Sequence, residues 1–190
     1  FVRNSLDFAQ LAKRFADLSF PSAEAVKVHT VEVTRRCNMR CVYCSSGARP
    51  RGAQGEDMGF DVAKTVVDFI FASSHGPVMI EFTGGEPLLN WPVVRFIIRY
   101  AEKRGEREKR RLQFALSSNF TMMDEDQFDF LTRHKVALCT SLDGPSDVHR
   151  ACRKGGESYR QVVSWIRRIH EARDLAGCGV GDPFYAVGKP

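Results

Sequence analysis

Val26-Lys27-Val28-His29-Thr30-Val31-Glu32-Val33-Thr34 runs, after only Arg35-Arg36, into Cys37-Asn38-Met39-Arg40-Cys41-Val42-Tyr43-Cys44. The first stretch sets Val26, Val28, Thr30 and Glu32 against Lys27, His29, Val31 and Val33, the period-two pattern of a strand. The second places three cysteines within eight residues, spaced CxxxCxxC, at the end of that strand. Three clustered thiolates can hold three corners of a cubane iron–sulfur cluster and leave the fourth iron to a small molecule. A structural zinc site wants four protein ligands in a closed tetrahedron. No fourth Cys or His lies nearby, since His29 belongs to the preceding strand. A zinc or redox loop is the competing reading, and the open position is what separates the two.

Outward from this loop the chain alternates. Residues 5–18 carry Leu6, Phe8, Leu11, Phe15 and Leu18 as a helical stripe that Pro21 follows. Asp61 is expected to cap a helix running to about Ser73, with Val62, Val66, Phe69 and Ile70 inward. Further strands are expected at 78–82, 112–116 and 136–141, with helices at 91–103 (Pro92 in its first turn), 124–134 and 158–175. Strand–helix alternation implies right-handed βαβ units and a parallel sheet.

The unusual residues all follow strands. Cys37–Cys44 follows the first, Thr83-Gly84-Gly85-Glu86-Pro87 the second, Ser117-Ser118-Asn119 the third and Ser141-Leu142-Asp143-Gly144-Pro145 the fourth. Parallel β/α barrels place their chemistry at that end of the sheet. The expected architecture is therefore an α/β, partial parallel β/α (TIM-like) barrel cut off after its fourth βα unit. An N-terminal helical extension at 1–25 precedes a core at 26–190. The chain begins Phe1-Val2-Arg3, without an initiator Met, and reads as a fragment trimmed at both ends.

Composition narrows the classes. The 190 residues are 43% hydrophobic and 27% charged, enough for one globular domain. No apolar run approaches the ~20 residues of a membrane span. The net charge of +5 invites nucleic acid, yet much of it falls in Lys103–Arg111. That run mixes both signs, reads as a solvated connection and lacks interleaved aromatics. The six cysteines have no framework spacing, so a reducing, cytoplasmic compartment is expected.

These motifs resemble the radical S-adenosylmethionine (SAM) superfamily. Cys37–Cys44 matches its cluster motif, with Tyr43 as the aromatic that packs near the adenine, and Gly84-Gly85-Glu86-Pro87 matches its GGEP motif. The resemblance implies a radical SAM core, a [4Fe–4S] cluster on Cys37, Cys41 and Cys44, and S-adenosyl-L-methionine on the open iron. Glu86 and backbone acceptors beside Gly84, Gly85 and Pro87 are expected to meet the methionine ammonium. Ser117 and Asn119 suit the cofactor or the cap of the next helix. Ser141 and Asp143 suit a ribose diol, Asp143 equally a turn, and Arg153 a structural charge or a partner for the cofactor carboxylate. Cys139 reads as core, Cys152 and Cys178 as free thiols, and His29 and His75 as structural.

Ser141–Pro145 followed by His149, Arg153, Gly156, Ser158 and Tyr159 resembles SPASM-type peptide maturases, which include anaerobic sulfatase-maturing enzymes. Ser117-Ser118-Asn119 followed by Phe120-Thr121 resembles the His-Xaa-Ser system branch. The implied activity is reductive SAM cleavage to a 5′-deoxyadenosyl radical that takes hydrogen from a peptide or protein. The implied electron donor is a flavodoxin or ferredoxin, with no membrane or nucleic-acid partner. A non-catalytic iron–sulfur or zinc module, and a radical SAM enzyme with a non-peptide substrate, stay open as alternatives. The chain departs from the family by having four βα units where six are usual, and by lacking a cysteine-rich C-terminal extension.

Overall fold

Parallel pairing begins at the valine-rich run and passes through every long strand. The computed structural model describes residues 27–74, 76–175 and 188–189. In chain order the elements are β1 (Lys27–Thr34), β2 (Arg36–Cys37), β3 (Arg49–Pro50), α1 (Phe60–Ser73) and β4 (Val78–Gly84). A 3-10 turn at Pro87–Asn90 leads into α2 (Trp91–Glu108), β5 (Leu112–Ser117), α3 (Glu125–Arg133) and β6 (Val136–Ser141). Then come α4 (Ser146–Arg153), α5 (Ser158–Leu175) and β7 (Gly188–Lys189). The main sheet has the order β1-β4-β5-β6-β7, all parallel, and β2 and β3 form a small parallel pair beside it. The helical expectation for 5–18, the proposed extension at 1–25, His75 and Cys178 lie outside the described residues.

The register places Thr30, Glu81, Ala115 and Ala137 side by side across four strands. Because side chains alternate along a strand, one face presents Val31, Val33, Ile80, Phe82, Leu116 and Leu138. These join Ala63, Val67, Ile70, Ile97 and Leu131 of the helices in one buried core. Each large aliphatic side chain so buried contributes about 1.5–3 kcal/mol. The opposite face presents Glu32, Glu81, Thr83, Ser117 and Cys139, exposed or half-buried. The expected partial β/α barrel is present, and β7 starts a fifth strand position that the sequence reading did not contain.

Local details depart from expectation for identifiable reasons. Gly59, not Asp61, occupies the N-cap of α1, and no side chain caps it. The inward stripe of α1 is Ala63, Val67, Ile70 and Phe71, while Val62 and Phe69 are exposed. Both stripes satisfy a 3.6-residue period and share Ile70, so only the packing of α1 on α2 and the sheet selects between them. Helix α2 runs five residues past the expected Lys103 and absorbs much of the mixed-charge run taken for a loop. An i,i+4 Arg104–Glu108 pair at 2.8 Å supports that extra turn. Gly105 fits there because a Cβ would lie 2.6 Å from Leu112 Cδ1. Helix α3 starts with a capping box, Asp124 accepting from Gln127 N–H at 2.8 Å and Gln127 reaching back. The sequence reading missed α4 and the β2–β3 pair, which are too short for a periodic signal.

Candidate functional site

The cysteine loop is fastened to the sheet by backbone. Gly85 N–H donates to Thr34 O at 2.9 Å, and Glu86 N–H donates to Arg36 O at 2.8 Å. This approach admits no side chain: a Cβ on Gly84 would lie 2.1 Å from Thr34 O, and one on Gly85 2.3 Å from Arg36 O. Gly84 also has φ of +130°, a conformation that suits glycine. The two glycines therefore dock the end of β4 against the strand that delivers Cys37. Arg36 locks the same junction from outside through two bonds to Asp57, at 2.6 and 2.7 Å.

Glu86 is fully buried. Its Oε1 accepts from Ser118 Oγ–H at 2.7 Å and Leu88 N–H at 3.1 Å, and its Oε2 from Asn119 N–H at 2.8 Å. Burial pushes its carboxyl above the ordinary range, while the Asn119, Ser118 and Leu88 donors pull the other way. The expected meeting of Glu86 with a ligand ammonium is not what this geometry places: the carboxylate ties the β4 end to the β5 end. Gly84 and Pro87 likewise do not line the cleft at the strand ends.

That cleft, about 280 Å3, opens at the strand ends. It is bordered by Cys37, Cys41, Cys44 and Tyr43 of the cysteine loop, by Gly85, Ser117, Asn119, Cys139 and Ser141 from the strand ends, and by Arg153. Of the expected site residues, the structure brings the three cysteines, Tyr43, Gly85, Ser117, Asn119 and Ser141 to one space. Cys139, read as core, faces this cleft because its position in β6 falls on the open side of the sheet. Met39 and Thr140, which also line it, carry no sequence signal of their own.

Cys37 is the most enclosed of the three thiols. It accepts from Met39 N–H at 3.3 Å and from the Asn119 amide at 3.9 Å. Burial raises its pKa, and burial likewise raises that of Cys41, against the opposing pull of Arg153. Cys44 is exposed, and the Ser46 hydroxyl and Ala48 N–H draw its pKa down. Asn119 does not cap α3. Its amide donates to Asn38 at 2.9 Å and its carbonyl oxygen accepts from Thr121 N–H at 2.9 Å, joining the β5 loop to the cysteine loop. Ser117 donates to Glu81 at 3.1 Å.

The far end of the cysteine loop rests on α4. Val42 N–H donates to Cys152 O at 2.8 Å. Arg153, buried, holds Asp143 through two bonds of 2.9 and 3.1 Å and lies over the Tyr43 ring at 5.6 Å. Tyr43 O–H donates to Asp143 Oδ2 at 2.6 Å. Burial alone would raise the Asp143 carboxyl, but the Arg153 and Tyr43 bonds outweigh it and hold it below the usual carboxylate range. His149, one helical turn before Arg153, is buried with its Nδ1 accepting from Asp143 N–H at 3.5 Å. Arg153 is thus a structural partner of Asp143 in this arrangement. His29 bonds Ser74 at 2.8 Å, as a structural histidine would.

Three thiols on one loop, with no fourth Cys or His beside them among the described residues, suit a cluster that keeps one corner for an exogenous ligand. The three thiols lie at the top of a β/α half-barrel, on the cleft at the strand ends.

Comparison with known proteins agrees with this class. Residues 31–181 match the radical SAM superfamily, and the chain belongs to it. It is 31% identical over 143 residues to the AdoMet-dependent heme synthase of Nitratidesulfovibrio vulgaris, covering 74% of this chain and 36% of that one. It is 28% identical over 123 residues to a cysteine-type anaerobic sulfatase-maturating enzyme of Clostridium perfringens, covering 62% of this chain and 33% of that one. The structure of anSMEcpe with bound AdoMet matches with a TM-score of 0.68 at 20% identity, over 78% of this chain and 42% of that one. That likeness is one of fold. The chain spans between a third and a half of the length of these relatives. The superfamily's cofactors are a [4Fe–4S] cluster and AdoMet. Among the described residues no helix is long and apolar enough to cross a membrane.

Proposed function

We propose that this chain is the cofactor-binding part of a radical SAM enzyme that modifies a peptide or protein, of the SPASM maturase type, in a reducing, cytoplasmic setting. The observation that carries the reading is the convergence of Cys37, Cys41 and Cys44 on a cleft walled by the ends of β4, β5 and β6. When bound, the cluster and AdoMet supply a reductively generated 5′-deoxyadenosyl radical that takes a hydrogen atom from the substrate.

The chain's own residues hold and orient. Cys37, Cys41 and Cys44 ligate three irons. Gly85 and the backbone around it offer acceptors to the AdoMet ammonium, with Glu86 acting from behind as the brace of that wall. Tyr43 lies beside the adenine, and Ser117, Asn119, Ser141 and Asp143 offer polar contacts to the rest of the nucleoside and methionine. The open face of the sheet, with Glu32, Glu81 and Thr83, supplies a polar floor for substrate. A peptide substrate draws support from the Ser141–Tyr159 motif and from a structural neighbour solved with AdoMet and the Cp18Cys peptide.

The test is anaerobic reconstitution with iron and sulfide, followed by electron paramagnetic resonance of the dithionite-reduced protein. A [4Fe–4S]⁺ signal that shifts on adding AdoMet is expected. A signal indifferent to AdoMet, or a protein that retains zinc and takes no cluster, overturns the proposal.

A further inference from the structure

Helix α1 is apolar on two faces, and the core takes only one of them. Ala63, Val67, Ile70 and Phe71 are buried. Val62 and Phe69 are 55% and 68% exposed, and with Asp61, Thr65 and Val66 they border a hollow of about 440 Å3. Val62, Val66 and Phe69 stand at i, i+4 and i+7, so they form one stripe along the helix. Exposed apolar side chains scattered singly are ordinary, whereas a contiguous row around a hollow is a contact surface.

The position of the stripe points to its occupant. Helix α2 takes the other flank of α1. Phe60 meets the Phe96 ring at 5.4 Å between centroids, Lys64 lies 5.6 Å from the Tyr100 centroid, and Asp68 accepts from Tyr100 O–H at 2.9 Å. At 3.6 residues per turn, Val62, Val66 and Phe69 fall on the flank opposite to these. That flank lies on the side of β1, the edge strand of the main sheet. The described residues begin in the same place. Lys27 opens β1, and His29, two residues on, bonds Ser74, the C-cap of α1, at 2.8 Å. The chain before Lys27 therefore enters beside the end of α1 that carries Phe69.

The sequence before Lys27 carries a matching stripe. Leu11, Phe15 and Leu18 repeat the i, i+4, i+7 spacing of Val62, Val66 and Phe69. The helix that the pattern predicts over 5–18 has 14 residues, as α1 has, and each spans about 21 Å. Residues 19–26 separate Leu18 from Lys27 and reach up to ~26 Å, enough to lay one helix along the other. So short a tether holds the stripe near the hollow at about millimolar effective concentration, which favours this segment over a second copy or a separate protein.

We propose that residues 5–18 dock on α1, with Leu11, Phe15 and Leu18 against Val62, Val66 and Phe69, and cover the flank of the half-barrel beside β1. The seam uses no residue of the cleft, so the inference is independent of the cofactor reading.

Two measurements on the metal-free full chain test it. In the first, a photoreactive benzophenone amino acid replaces Phe69, and the irradiated protein is digested and mapped by mass spectrometry. A cross-link to residues 5–18 of the same chain is expected. The same probe in place of Arg107, 75% exposed near the end of α2, should give none. A product that joins two chains, or that reaches no residue of 5–18, overturns the proposal. In the second, urea midpoints are read for Val62→Ser with Phe69→Ser, for Leu11→Ser with Phe15→Ser, and for all four together. Each pair should lower the midpoint by about 1 M. The four together should lower it little further, because either pair alone undoes the seam. Side chains on a free surface would scarcely move the midpoint. An unchanged midpoint for either pair, or losses that simply add, overturns the docking. A midpoint that climbs with protein concentration assigns the stripe to a second copy and overturns it as well.

Discussion

The two walls of the cleft are built on opposite principles. On the β4–β5 side, Glu86 is fully buried, both its oxygens are engaged, and Gly84 and Gly85 press backbone on backbone. On the cysteine side, Cys44 is exposed, Tyr43 is half exposed, and side chains of Arg153 and Asp143 do the holding. The first wall is a frame that a ligand meets already formed. The second carries the three thiols, Cys44 exposed and Cys37 and Cys41 half-buried, and depends on polar contacts that are individually weak.

The sharpest way to break the frame is Gly85→Val. Its Cβ would meet Arg36 O at 2.3 Å, so about 4 kcal/mol or more of stability should be lost, read as a collapse of the urea midpoint. Glu86→Ala should come next, at about 3 kcal/mol, because three donors, two of them in buried bonds, lose their acceptor. Its AdoMet affinity should fall together with stability; a variant as stable as the parent would remove Glu86 from the frame.

Asp143→Asn should have a smaller effect, about 1 kcal/mol near neutrality. The Asp143 carboxyl is held below its ordinary value by the Arg153 and Tyr43 bonds, against burial that would raise it. Its contribution is therefore present above the unfolded pKa of about 3.9 and disappears as pH falls from there through the lower native value. The stability gap between parent and Asp143→Asn should close over that acidic window, checked by urea titration at a series of pH values. A constant gap would mean the Arg153–Asp143 bond is not what stabilises the loop.

Cys41→Ala should move the metal-free protein's stability least, by less than about 1 kcal/mol, since the site is half-buried on a loop. It should nonetheless abolish iron incorporation, measured by visible absorption and iron content. Together the four variants separate what holds the fold from what holds the cofactor.

The strands were readable because each carries apolar residues at period two or in continuous runs, and Val136–Ser141 and Ser158–Leu175 have the expected bounds. Helix faces were less so: Val62–Ile70 and Ala63–Phe71 are both valid stripes of one sequence, and the choice depends on a neighbour. Helix α4 escaped detection because its eight residues are largely polar, with His149 and Arg153 buried by partners on other elements. The cysteine motif and the glycine pair were legible as chemistry, whereas the direction in which Glu86 points was not.

The sequence alone determined the α/β parallel architecture, the placement of every motif after a strand, and the three closely spaced thiols with no Cys or His beside them in the sequence. These are local matters of period, spacing and donor type. Tertiary structure alone decided that Glu86 braces the wall from behind, that Cys139 faces the cleft, and that Arg153 serves Asp143 and Tyr43. The physical reason is that burial and hydrogen-bond partnership join residues tens of positions apart, such as Glu86 with Ser118 and Tyr43 with Asp143, and no pattern within one segment encodes which donor will reach which acceptor.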